Sequence, residues 1–159
     1  MFCVGDKIVH PMHGAGVVES ITENKIDGVI RQYYVMRLPV RAMVVMIPTH
    51  NCAEIGVRPI TDQAGAERIL ESLPNIQVDL EQNWNRRYRE NMERLKSGDL
   101  LEVAKVIKAL MVRDCERGLS NGERKMLHSA KEILISELVL ALNDTYENTE
   151  VRVITALSQ

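Results

Sequence analysis

The spacing of apolar positions changes near residue 61. Before it, five short apolar runs are separated by turn formers. Val4–Val9 is followed by Pro11 and Gly14-Ala15-Gly16, and Val17–Ile21 by Asn24 and Asp27-Gly28. Arg31–Leu38 stops at Pro39, Ala42–Ile47 stops at Pro48, and Gly56–Ile60 closes the set. Asp-Gly supplies the positive φ values of a tight primed turn, so the second and third runs are predicted to form a hairpin. Five short strands are too few for a sandwich and suit a small, strongly bent SH3-like or Tudor-like barrel.

From about residue 62 the period becomes helical. Ala66, Ile69, Leu70 and Leu73 follow i, i+3, i+4, i+7 spacing, and Pro74 ends that helix. A polar stretch, Asn75 to Asp79, leads to a second helix with Trp84, Tyr88, Met92 and Leu95 on one face. Ser97-Gly98-Asp99 reads as a stop and an N-cap, opening an apolar helix from Leu100 to about Arg117. Gly118 suits the left-handed position after it, and Ser120-Asn121-Gly122-Glu123 has capping-box spacing. The helix it opens buries Leu127, Ala130, Ile133, Leu134, Leu138 and Ala141, and a last short helix is expected from about Glu147 to Leu157. The expected fold is α+β in two modules: a five-stranded β module over residues 1–61 and a compact all-α domain over 62–159.

Composition narrows the class. The 159 residues are 45% hydrophobic and 26% charged, which fits a soluble globular chain and not a disordered one. With one Phe and one Trp, the core must rest on aliphatic residues and methionine. No run of about 18 apolar residues and no signal peptide is present, so a cytoplasmic protein away from the membrane is expected. Cys3, Cys52 and Cys115 are far apart with no C-x-x-C, which fits reduced thiols. The net charge of −2 conceals an uneven distribution. Residues 76–131 carry twelve basic and nine acidic side chains, net +3, and residues 132–159 carry one and five, net −4. Nucleic-acid binding depends on the local patch, not on the total.

Catalytic and metal chemistry find little support. His10-x-x-His13, His50 and Cys52 could be assembled into a zinc site, but the second tight ligand pair of a structural zinc site is missing. A metal-dependent hydrolase using His10, His13 and His50 has no further motif behind it. Gly14-x-Gly16 lacks the third glycine and following helix of a dinucleotide fingerprint. Glu90 and Glu93 fall on a solvated helix face between arginines. The expectation is a non-enzymatic protein with no cofactor, metal or small-molecule substrate.

Two segments carry functional content. In Trp84-Asn85-Arg86-Arg87-Tyr88-Arg89, the tryptophan is either the first core anchor of its helix or a ring projecting past the bundle. A flat ring flanked by cations can stack on an unpaired base or wedge beside a base step while the arginines hold phosphates. Val44-Val45-Met46-Ile47-Pro48 is either a strand buried on both faces or a sticky edge left for a partner.

The opening Phe2-x-Val4-Gly5-Asp6-x-Ile8-Val9-x-Pro11-x-His13-Gly14-x-Gly16, with Tyr33-Tyr34-Val35 and Gly56-Val57-Arg58, resembles the RNA-polymerase-interacting domain of CarD-type bacterial transcription regulators. The second half agrees over Trp84-x-Arg86-Arg87-Tyr88, Ser97-Gly98-Asp99, Arg117-Gly118-Leu119-Ser120-x-Gly122-Glu123 and Met126-Leu127. A transcription-repair coupling factor shares only the first module. The resemblance implies that the β module docks on the polymerase β subunit. The helical module then lies on promoter DNA at the upstream edge of the melted region and stabilises the open complex. It places the family's wedge tryptophan on Trp84 and its phosphate-contacting positions on Arg86, Arg87, Arg89 and Arg124. Polymerase contacts fall on Asn24, Met46 and Pro48, where an apolar contact through Met46 and Pro48 is expected. The competing expectation is a generic adaptor with a peptide-binding barrel and no DNA role, which requires a buried Trp84.

Overall fold

The computed structural model describes residues 1–78 and 83–159; Asp79, at the end of the expected polar connection, lies outside the described residues. Five antiparallel strands come first: β1 (Lys7–His10), β2 (Gly14–Ile26), β3 (Val29–Leu38), β4 (Met43–Pro48) and β5 (Arg58–Pro59). Their order across the sheet is β4-β3-β2-β1-β5. A short helix α1 (Cys52–Ile55) interrupts the strands, and α2 (Gln63–Ser72), α3 (Trp84–Lys96), α4 (Leu100–Arg117), α5 (Asn121–Leu142) and α6 (Tyr146–Leu157) follow.

Local chemistry explains most of these elements. Asp27 and Gly28 both take positive φ, as a type I′ turn demands, and Ile26 pairs with Val29 across it. A bulge between Val18 and Ser20 bends β2, so the sheet curls around Ile8, Val18, Tyr34, Met36, Leu38, Ile47 and Val57. Helices α2 to α6 each start on a side-chain cap: Asp62, Asn83, Asp99, Ser120 and Thr145 accept backbone N–H groups of the first turn. Their apolar faces meet in a second core that includes Leu73, Leu95, Ile107, Leu110, Leu134, Leu138 and Val153.

Some boundaries differ from the sequence expectation. Val4 and Gly5 form a turn, so β1 begins at Lys7. Gly14-Ala15-Gly16 is not a break but the start of β2, which runs to Ile26. Close packing explains the glycines: a Cβ on Gly16 would stand 2.2 Å from the Arg37 carbonyl oxygen, and one on Gly14 would stand 2.6 Å from Ser136 Oγ of α5. The last strand shrinks to Arg58–Pro59, and α1, which lacks a helical period, was not legible. Gly118 has positive φ but extended ψ, whereas Gly56 after α1 and Asn143 after α5 take the left-handed cap. The three cysteines are unpaired.

The sheet is joined to the helices through α5. Ser136 Oγ accepts the Ala15 amide at 2.9 Å, and Arg41 pairs with Glu132. Glu137 has no exposed surface. Its carboxylate accepts Arg58 Nη1 at 2.9 Å, Arg58 Nη2 at 2.8 Å and the Thr61 amide at 2.8 Å. Arg58 Nε donates to the Gly98 carbonyl at 3.1 Å, so one guanidinium binds α5 and the α3–α4 turn together.

Removing that carboxylate as Glu137→Ala should lower the unfolding free energy by about 1.5–3 kcal/mol, the range for hydrogen bonds to charged groups. The loss should fall towards the lower figure, because the Arg58 side chain is 32% exposed and water can resolvate it. Urea unfolding measures it; an unchanged midpoint would remove the contact from the stability of the fold.

Candidate nucleic-acid interface

Trp84 is the first residue of α3, directly after the Asn83 cap, whose side chain accepts the Arg86 amide at 3.0 Å. The residue is 42% exposed. Leu95 belongs to the helical core and Tyr88 and Met92 pack against it, whereas Trp84 does not. One face of the indole stacks on Tyr88, with centroids 5.0 Å apart and planes 17° apart. The indole N–H donates to Ser120 Oγ at 3.3 Å. The starts of α3 and α5 therefore meet at this ring.

Both helices carry exposed cations close to their starts in sequence. Arg86, Arg89, Arg124 and Lys125 are exposed, and Arg86 also reaches Glu90 at 3.2 Å. The first turn of α3 has no acidic residue. Basic side chains beside a helix N-terminus are suited to an anion.

Arg87 departs from this group. The sequence expectation puts it on phosphate, but it shares the inward face of α3 with Asn91 and Leu95 and is buried. Arg87 Nε donates to Glu123 Oε2 at 2.8 Å and Nη2 to Oε1 at 3.3 Å. Arg113 Nε of α4 stands 3.9 Å from the same carboxylate. Burial pushes the Glu123 carboxyl upward, but hydrogen bonding and charge from Arg87, the Ser120 amide and Arg113 outweigh it and hold it below its ordinary 4.5.

The second expected cluster lies on the β module. β4 is an edge strand, and Val44 and Met46 are exposed on it while Ile47 is buried. The strand is therefore not buried on both faces. Met46 pairs with Val35, Pro48 with Tyr33, Tyr33 with Thr22, and Asn24 with Arg31. Directly paired residues share a face, so Asn24, Met46 and Pro48 point to the side opposite Tyr34 and Ile47. The His10 and His13 ring centroids lie 4.5 Å apart with the planes tilted by 50°; burial first, and His13 second, lower the His10 pKa to about 4. His50 lies 3.3 Å from Arg31 Nη1. Among the described residues no group of three or more His, Cys, Asp or Glu is placed to hold a metal ion, and no helix is long and apolar enough to cross a membrane.

The arrangement defines a class of protein: a bent sheet with an open apolar edge, followed by a helical bundle with an exposed tryptophan where two helix starts meet. Residues 2–61 match the CarD-like/TRCF RID domain and residues 68–154 the CarD C-terminal domain. The chain belongs to the CarD-like family of transcription factors. It is 41% identical over 138 residues to a Bacillus subtilis (strain 168) protein described as "Putative transcription factor YdeB", covering 87% of this chain and 90% of that one. It also resembles the 72-residue N-terminal domain of Myxococcus xanthus CarD, solved by solution NMR. That likeness has 32% identity and a TM-score of 0.33, and covers 37% of this chain and 79% of the other.

Sequence reasoning read Ser120 and Glu123 only as a capping box and missed their contacts with Trp84 and Arg87. Those partners lie 36 residues apart along the chain, a distance at which local patterning carries no signal.

The Glu123 pair should make stability acid-sensitive. Its folded pKa is depressed, so its contribution is complete above the unfolded carboxylate's 4.5 and is lost as pH falls through the lower folded value. The melting-temperature gap between wild type and Glu123→Gln should therefore close progressively below pH 4.5, as calorimetry across an acid series would show.

Proposed function

We propose that this chain docks on the RNA polymerase β subunit through its β module and stabilises the open promoter complex with its helical module. Residues 1–61 form the docking unit and 62–159 the DNA-binding unit. The observation that carries the reading is the exposed Trp84, outside the core and stacked on Tyr88 where the starts of α3 and α5 meet, on two helices that also expose Arg86, Arg89 and Arg124. At the upstream fork the ring meets an unstacked base step through the minor groove, and the three exposed arginines hold phosphates. Arg87 supports the site from within through Glu123. An adaptor without a DNA role requires a buried Trp84, and the exposed ring weighs against it.

Each phosphate contact is weak, salt-sensitive and blind to sequence. Tethering through polymerase makes the DNA contact intramolecular, so a modest patch suffices. A ring that inserts only into opened DNA binds the melted state better than the closed one, and this differential affinity shifts the equilibrium with no covalent step. On the docking side, Val44, Met46 and Pro48 offer an apolar strip beside the open backbone edge of β4, and Asn24 extends the contact along β2. The protein acts in the cytoplasm, at the nucleoid, wherever polymerase engages a promoter.

Trp84→Ala should leave polymerase binding intact and shorten the open-complex lifetime roughly 5- to 150-fold at a responsive promoter, the span expected from base–aromatic stacking. A competitor-challenge assay reads this. Loss of about 3–5 kcal/mol of folding stability would mark the ring as core instead.

Met46→Glu should abolish recovery of the folded protein with an isolated β-subunit lobe, because it sets an unpaired charge into an apolar contact. Its intrinsic affinity for DNA should not change. Undiminished recovery would take this strand out of the interface.

A further inference from the structure

The Ser120 hydroxyl uses all of its hydrogen-bonding capacity. It accepts the Glu123 amide at 3.2 Å as the cap of α5, accepts the Trp84 indole N–H at 3.3 Å, and donates its own proton to Glu123 Oε1 at 3.3 Å. The receiving carboxylate is 2% exposed and is gripped by Arg87 from α3, with Arg113 of α4 beside it. Capping needs only the first of these bonds, which any Ser, Thr, Asp or Asn would supply. The remainder is a relay that starts at a buried ion pair and ends on an exposed indole. Stacking on Tyr88 alone would leave the ring free to slide; the N–H bond fixes its rotation in that plane.

We propose that Ser120, anchored by Glu123 and Arg87, is the positioning residue for Trp84, taking the indole N–H and holding the ring parallel to Tyr88. The inference rests on the reading of Trp84 as the group that enters the fork. A ring already held in one orientation loses little freedom on insertion. An N–H already paired is not left without a partner when the ring leaves water. Only the outer face and far edge of the indole are then offered to DNA.

Trp84 is the sole tryptophan, so a nitrogen-15-labelled chain gives one indole N–H signal. Ser120→Gly is the variant of choice, because glycine is a tolerated N-cap. In Ser120→Gly that signal should shift and exchange faster with water. With saturating protein, polymerase and one responsive promoter, the open-complex lifetime should fall roughly two- to tenfold, the range set by one hydrogen bond. It should remain longer than with Trp84→Ala. Ser120→Thr should restore both readouts. In Trp84→Phe, which keeps a ring but has no N–H, Ser120→Gly should cause no further loss. An unmoved indole signal in Ser120→Gly overturns the proposal, as does a wild-type lifetime once the signal has moved. An equal loss in the Trp84→Phe background also overturns it, since the effect would then act through the cap. If Trp84→Ala itself has the wild-type lifetime, the fork reading fails and the positioning role falls with it.

Discussion

A carboxylate with no exposed surface joins the two halves of this chain. Placing Glu137 out of water is costly unless its oxygens are filled, and three donors from the β module and its exit segment fill them. Apolar contact is non-directional and tolerates sliding, whereas a bidentate guanidinium–carboxylate pair fixes an angle. Arg58 extends the constraint to the α3–α4 turn through Gly98. The orientation of the helical bundle on the sheet thus depends on one arginine with three hydrogen bonds to the helical module, supported by the Ser136 and Glu132 contacts further along.

The same device recurs at the other end of α5. Glu123 is buried, an arginine from another element straddles it, and the pair serves a third group, here the Ser120 hydroxyl beneath Trp84. In both places α5 contributes the acid and another segment the base. A helix with little exposed polar work on its inner face has become the common reference for the sheet and for the tryptophan. The proposed docking surface and the proposed DNA-facing surface are consequently held by separate pairs on a single rigid element.

Much of this architecture is legible in the residues themselves. The Asp27-Gly28 turn, the period change near residue 61, the Asp99 and Ser120 caps and the apolar stripes of α4 and α5 are local signals, and the structure carries them where they were expected. Gly14 and Gly16 read as a break because glycine is locally ambiguous; their function is to let Ser136 and the Arg37 carbonyl approach, which only tertiary structure reveals. Arg87 was misplaced for a similar reason. Three arginines in four positions look alike in sequence, and the helical phase that turns one of them inward becomes meaningful only once Glu123 is known to lie opposite. Trp84 and the β4 edge were visible as pairs of alternatives, and burial separates them.

Because α5 carries both carboxylates, it also acts as a ruler. Glu123 and Glu137 are fourteen residues apart, 123 to 137, within one uninterrupted helix. At 1.5 Å and 100° per residue that is about 21 Å of rise and just under four turns. Distance and azimuth between the two ends are therefore counted in whole residues and cannot be adjusted by small increments. A single-residue insertion between them would turn Glu123 about 100° around the helix axis relative to Glu137 and would also carry Met126 and Ala130 out of register with Leu134 and Leu138 in the core. The chain can drift in sequence along the exposed face of this helix, but its length is quantised by the geometry of what it must span.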